Sequence, residues 1–165
     1  MGTRTRTVDF DEPSLTAAGA VGKTGLEFLS DIIARKVPAA PIQATLGFEL
    51  LEVTDGFAKL QLVSGEHLFG ASGSVQGGVA ATLLEAAMGS AVMTTLDAVT
   101  GYSTVTLTTH LTRAITARTA TVIAEGWVVH RGSRLVTAEG RLNDEQGRLL
   151  AHGSATCAIT PRPGV

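Results

Sequence analysis

The sequence predicts an α+β domain in which an antiparallel sheet wraps around one long helix, and three observations carry that prediction. Val79, Ala80, Leu83, Leu84, Ala87, Met88 and Ala91 recur at helical spacing within residues 79–98. Two stretches before that helix and four after it have the length and the β-branched or alternating composition of strands. The last strands also carry Ala138, Gly140, Ala151, Gly153 and Ala155, small residues that let a sheet curve closely around a helix.

The elements follow in order. Residues 1–22 lack periodicity and mix Gly, Thr, Pro and charges, so they are expected to form a mobile N-terminal extension to a single domain at 23–165. Leu26, Phe28, Leu29, Ile32 and Ile33 make an apolar helical stripe closed by Lys36 and Pro38. Pro41 to Gly47 suits a short helical turn. Residues 48–53 and 57–63 read as strands joined by the hairpin signal Thr54-Asp55-Gly56. A glycine-rich loop at 65–78 feeds the long helix. Residues 103–113 alternate, with Val105, Leu107 and Leu111 on one side and Thr104, Thr106, Thr108 and His110 on the other. Strands at 120–130, 135–143 and 149–160 are separated by Arg131-Gly132-Ser133 and by Asp144-Glu145-Gln146-Gly147. There is no internal repeat and no sign of a second domain.

Bulk properties narrow the function. A chain of 165 residues with 44% apolar and 17% charged residues has globular composition and enough length for one core. A formal net charge of −2 gives no basic excess, which argues against nucleic acid as a partner. No run reaches the ~18 consecutive apolar residues that span a bilayer, so no membrane partner is expected. Arg4 and Arg6 are followed by Asp9, Asp11 and Glu12 where a secretory signal would be apolar, and the expected location is cytoplasmic. Cys157, the only cysteine, excludes an internal disulfide and a thiolate metal cluster, and its alternation with Ala155 and Ile159 makes it a buried strand residue. His67, His110 and His152 show neither mutual spacing nor acid partners. No HExxH, CxxC or GxSxG motif exists, so no metal site and no serine nucleophile is expected.

The chemistry concentrates in residues 75–91. Gly77 and Gly78 stand at the mouth of the long helix, and Glu85 lies two turns inside an otherwise apolar run. An ionised carboxylate belongs there only if paired, exposed or working. Gly78 and Glu85, seven residues apart, share one helix face. The first turn of a helix offers amides without intrahelical partners and a partial positive charge. A carbonyl oxygen resting on those amides is expected to have its carbon held near Glu85, a hydrolytic site built from a helix end and one acid.

The words TGLEFL, GFELLEV, HLFGASGSVQGGVAATLLEAAMG, VVHRGSRLVTAEGRL and DEQGRLLAHGSATC, in this order, carry a resemblance. Over roughly residues 24–160 the chain resembles the hot-dog fold thioesterases, in the branch of the phenylacetate-pathway and 4-hydroxybenzoyl-CoA enzymes. The resemblance implies a hot-dog fold and hydrolysis of an acyl-CoA, aryl or short to medium acyl, to free acid and CoA. It also implies a site at a subunit interface, and with it a homodimer or homotetramer. No cofactor is implied, coenzyme A being part of the substrate.

Residue by residue, the resemblance makes Glu85 the general base or nucleophile and Gly77, with Gly78 beside it, the oxyanion-binding amide. Gln76 stands where the family commonly has His, and would orient the thioester. Gly70 stands where it has Asn or Gln, and Gly89 where it often has Thr or Ser, with Ser90 next to it. The turn His130-Arg131-Gly132-Ser133-Arg134 matches the one that meets the CoA nucleotide, and Arg131 or Arg134 suits a phosphate by geometry and permanent charge. Arg113 is a weaker choice. Ser103 and Thr104 are expected along the pantetheine channel. The missing side chains at Gly70 and Gly89 leave a second reading open, a non-catalytic acyl-CoA-binding protein on the same scaffold. A hydratase of this fold is disfavoured, because no Asp and His stand five apart on one element. The structural alternatives are a Glu85 paired with an Arg, a glycine pair needed only for a tight turn, a Gln76 that only caps or packs, a Ser90 that only packs, and an ordinary solvated turn at 130–134.

Overall fold

The computed structural model describes residues 2–162. Three short helices come first, α1 (Pro13–Ala18), α2 (Gly25–Ile33) and α3 (Pro41–Leu46). The hairpin β1 (Phe48–Thr54) and β2 (Phe57–Val63) leads through a 3-10 turn at Glu66–Leu68 to the long helix α4 (Gly77–Thr94). Then follow β3 (Thr100–Leu111), β4 (Thr121–Arg131), β5 (Leu135–Asp144) and β6 (Leu149–Pro161). The strands form one antiparallel sheet in the order β1-β2-β4-β5-β6-β3. This is the α+β hot-dog fold, a sheet wrapped around α4.

Local chemistry sets the element ends. α2 opens with a capping box. The Thr24 hydroxyl accepts from the Glu27 amide at 3.3 Å, and the Glu27 carboxylate accepts from the Thr24 amide at 2.8 Å. The β1–β2 turn uses Gly56 at φ +74, a backbone region open to glycine. α4 starts two residues earlier than the apolar periodicity of 79–98 predicts and stops four residues sooner. The Thr94 and Thr95 hydroxyls donate back to the Ala91 and Val92 carbonyls (2.6 and 2.8 Å), closing the last turn. By length and composition α4 would pass for a membrane span, which the reading of apolar runs missed, yet half of it is buried in the fold.

Leu83, Leu84, Ala87, Met88, Ala91 and Val92 of α4 form the core with Ala58, Leu60 and Leu62 of β2, Val122 and Ala124 of β4, Val136, Ala138 and Leu142 of β5, and Ala151, Ala155 and Cys157 of β6. Small residues bring the helix backbone onto the sheet. At Gly126 a Cβ would lie 2.5 Å from the Ala87 carbonyl oxygen and 2.6 Å from the Met88 amide nitrogen.

Within the stretch expected to be a mobile extension, residues 13–18 form α1. Ahead of it, Arg6 donates to the Thr45 and Ala44 carbonyls at 2.6 and 3.1 Å. Further along the chain, Arg162 donates to the Ala20 and Lys23 carbonyls (2.7 and 3.0 Å).

β3 departs from the predicted alternation. Thr104 pairs with Cys157 while Thr106 pairs with Thr156, so Val105 is an extra residue, a β-bulge. The bulge reverses the phase. Tyr102 and Thr104 share the face that carries Leu107 and Leu111 beyond it, whereas Ser103, Thr106, Thr108 and His110 face outward. β3 is also an edge, paired only with β6 among the described residues. It leaves Val105, Leu107 and Leu111 at 60%, 39% and 59% exposure, a large apolar surface on an open edge.

Candidate functional site

Glu85 lies on the third turn of α4, half-buried against the start of β3. The Thr104 hydroxyl donates to Glu85 Oε1 at 2.7 Å. Among the described residues no Arg or Lys forms an ion pair with Glu85. Cys157 faces Thr104 with 3.9 Å between Sγ and Oγ1. Burial pushes its thiol up, against the pull of the Thr104 contact and with the charge of Glu85 adding to the rise, so the sulfur remains a packed thiol.

Tyr102 was not singled out by sequence. It stands two residues before Thr104 on the same face, and its ring crosses α4 at Gly89, where a Cβ would collide with the phenol oxygen and lie 3.1 Å from Cζ. Burial, then the nearby Glu85 charge, then Cys157 hold the phenol above the ordinary tyrosine range, so it stays protonated. Gly89 puts no side chain beside Glu85, and Ser90 is half-buried on the next position.

The mouth of α4 is fixed by its loop. The Gly70 amide donates to the Ser74 carbonyl (2.8 Å), and Phe69 bridges Val75. The Gln76 amide donates to Leu68 O (2.9 Å), and the Val75 amide to Ile115 O (2.8 Å). Gln76 is the N-cap residue, and its side chain makes no capping bond. It folds over Gly70 instead, its Oε1 2.6 Å from where a Cβ at 70 would stand. The amides of Gly77 and Gly78 make no hydrogen bond with any described residue. Gly77 lines a cleft of about 320 Å³ together with Ser74, Gln76, Leu111, Arg113 and Ile115. At Gly78 a Cβ would meet nothing within 4 Å.

The two clusters lie apart along α4. Eight residues of helix separate Gly77 from Glu85, about 12 Å along the axis at 1.5 Å per residue. A carboxylate side chain and one C=O bond do not bridge that length, and the cleft at the mouth is not lined by Glu85. A separation of that size favours a carbonyl shared between two copies of the chain, in keeping with the subunit-interface site that the resemblance implies.

The turn His130-Arg131-Gly132-Ser133-Arg134 lies at the Glu85 end of the sheet. Val136 pairs with Cys157, and Cys157 pairs with Thr104. Gly132 N donates to Leu135 O, and Ile159 N to Arg134 O, each at 2.9 Å. The Arg131, Ser133 and Arg134 side chains are exposed. Asp97, beyond the end of α4, has its carboxyl held low chiefly by the Thr100 hydroxyl, with the Arg131 charge a lesser contributor.

Ser103 does not share the channel face with Thr104. Strand alternation turns it outward, where it is exposed. His110 and His152, read as lacking mutual spacing, are cross-strand partners with rings stacked at 4.9 Å on the outer face. Residues 72–151 match the Thioesterase superfamily. No curated protein sequence matches the chain. A solved protein of the thioesterase superfamily is 30% identical, with 83% of this chain and 99% of its own covered at a TM-score of 0.68. A phenylacetic acid degradation-related protein of Ralstonia eutropha is 24% identical over 79% of this chain and 98% of its own, TM-score 0.72. The E. coli PaaI protein from the phenylacetic acid degradation operon is 15% identical over 84% and 96%, TM-score 0.71. The last two share the fold.

Proposed function

The chain belongs to the thioesterase superfamily, and from that premise we propose that it hydrolyses acyl-CoA thioesters, aryl or short to medium acyl, to free acid and CoA. The observation that carries the reading is the half-buried Glu85 carboxylate, free of any cation among the described residues and aimed by the Thr104 hydroxyl at 2.7 Å. Thioester hydrolysis is the chemistry of the family. The CoA ester and the residue roles are the proposal.

The thioester oxygen accepts from the Gly77 amide, with Gly78 and the Gln76 carboxamide beside it. Glu85 takes a proton from water as the water oxygen attacks the carbonyl carbon. Negative charge moves to the oxygen, where the helix-end amides face it. The C–S bond then breaks, and the proton held by Glu85 passes to the leaving CoA thiolate. Arg131 and Arg134 meet the CoA phosphates. No metal enters these steps, and the proposed location is the cytoplasm.

The two half-sites come from two copies of the chain. The axial separation of about 12 Å supports this, because the Gly77 of one copy has to meet the Glu85 of another. The twelve-residue open edge of β3, with its exposed Leu107 and Leu111, supports pairing of two sheets edge to edge about a two-fold axis. A homodimer is then the smallest active form, and a homotetramer pairs two of them.

Thiol release from a panel of acyl-CoA esters, with wild type and Glu85→Gln side by side, tests the reading. Wild type is expected to turn over at least one class, and Glu85→Gln to lose about 100-fold or more in kcat. Tight binding of an acyl-CoA by wild type without thiol release would establish the non-catalytic binding protein instead. Unchanged turnover in Glu85→Gln would overturn the role of the acid.

A further inference from the structure

The phenol of Tyr102 has a geometry that packing alone does not explain. Its ring lies in the groove that Gly89 leaves open on α4, one helical turn beyond Glu85. On β3 it stands two residues before Thr104, so both hydroxyls point at the same stretch of helix. Thr104 is engaged with Glu85 Oε1. The Tyr102 hydroxyl makes no hydrogen bond with any described residue, and it is not among the sealed polar atoms that lack a partner. A half-buried phenol that forgoes a partner loses free energy, and tyrosines inside proteins normally find one. This one keeps some solvent access and lies on the same β3 face as Thr104, the partner of the Glu85 carboxylate.

We infer that Tyr102 is a catalytic residue of the site: its O–H donates to the water that Glu85 activates, fixing that water between the phenol and the carboxylate. The inference rests on the thioesterase reading above. The water accepts from the phenol through one lone pair and donates one hydrogen to Glu85. Its second lone pair attacks the carbonyl carbon. The phenol keeps its proton throughout, so the atoms and charges of the hydrolysis are unchanged. Side chains one turn apart on a helix have Cβ atoms about 5–6 Å from each other, a span that one water bridges. Gly89 and Tyr102 are therefore a matched pair, the glycine leaving the room in which the hydroxyl works.

The pair provides its own test. Tyr102→Phe keeps the ring and removes the donor, and is expected to lower kcat about tenfold or more, with KM and the melting temperature close to wild type. Gly89→Ser in the wild-type background collides with the phenol oxygen and is expected to lower the melting temperature. In Tyr102→Phe the obstructing atom is gone, and the nearest ring carbons stand at 3.1 and 3.3 Å from the new Cβ, a tight fit that small shifts relieve. The double variant Tyr102→Phe/Gly89→Ser is thus expected to melt higher than Gly89→Ser alone. It should also recover several-fold in kcat over Tyr102→Phe, because the serine returns a hydroxyl to the same place. A Tyr102→Phe enzyme with wild-type kcat, measured beside an inactive Glu85→Gln, overturns the inference and leaves the thioesterase reading intact. A folded wild type that releases no thiol from any ester overturns that reading, and this inference with it.

Discussion

Two variants that are inactive alone are expected to restore activity when their subunits are mixed. Gly77→Pro removes the N–H of the first residue of α4. Proline is compatible there because that amide has no intrahelical partner, and Gln76 at φ −60, ψ 133 suits the residue before a proline. A Cβ at 77 meets only the tip of Leu111, 2.6 Å away, a flexible end that can turn aside. Glu85→Gln keeps the shape of the acid and removes its charge. Each variant should lose about 100-fold or more in kcat. If every site takes Gly77 from one copy and Glu85 from the other, a mixed dimer has one site with both groups and one with neither. Random re-association makes about half of the dimers mixed, so the mixture should regain about one quarter of wild-type activity. Sites built within one chain would all stay broken. The axial gap of about 12 Å favours the first arrangement. The assay is thiol release after joint unfolding and refolding, with light scattering and two affinity tags to isolate the mixed dimers. Mixed dimers that form and stay at the level of the single variants refute the two-copy site.

Two further outcomes concern stability. Gly126→Ala drives a methyl into the α4 backbone at Ala87 and Met88, where no side chain can yield, and should cost about 3 kcal/mol, the upper end for overpacking. Thermal melts should then fall by roughly 6–12 °C, and a shift under about 2 °C would show that α4 sits less closely on β4 than described. Asp144, buried, accepts from the Gln146 and Arg148 amides (3.0 and 2.9 Å) and from Arg148 Nε (2.6 Å). Burial raises its carboxyl, but the Arg148 bonds outweigh that and hold it below the ordinary range. A carboxyl lowered by folding stabilises the fold above its unfolded pKa of about 3.9, and that stability is lost as pH falls through the folded value. Asp144→Asn should therefore be less stable than wild type in urea melts at neutral pH, with the difference shrinking below about pH 4. A difference independent of pH would refute the charge argument.

What the sequence disclosed, and what it hid, divides along the range of the interactions. α2, the β1–β2 hairpin and β4 to β6 are written in local signals, namely an apolar helical stripe, a Thr54-Asp55-Gly56 turn and β-branched or alternating runs, and their limits fall within a few residues of those signals. Glu85 and the glycine pair were legible because a carboxylate in an apolar helix is locally out of place. β3 was misread in phase. The extra residue at Val105 changes the ladder without changing the composition, and it puts Thr104, which meets Glu85, on the face opposite Thr106, Thr108 and His110. The His110–His152 stack depends on strand register, which no local pattern of two histidines reveals. Tyr102 was hidden for a related reason, since its partner Gly89 lies on another element and the contact exists only after the sheet closes on the helix.

The glycines at 70 and 89 show how such hidden contacts change a functional argument. Read along the chain, each is a lost side chain, and together they motivate a second reading, a protein that binds an acyl-CoA without cleaving it. In three dimensions neither place is empty. The Gln76 carboxamide occupies the space in front of Gly70, and the Tyr102 phenol the space in front of Gly89, each a polar end that any larger residue would displace. A side chain restored at either position without removing its occupant would meet a steric conflict before it could offer a donor. The glycines are thus better understood as the condition for bringing a carboxamide and a hydroxyl to the site from other positions in the chain. On that account both polar groups are relocated rather than lost, and the thiol-release assay separates hydrolysis from binding.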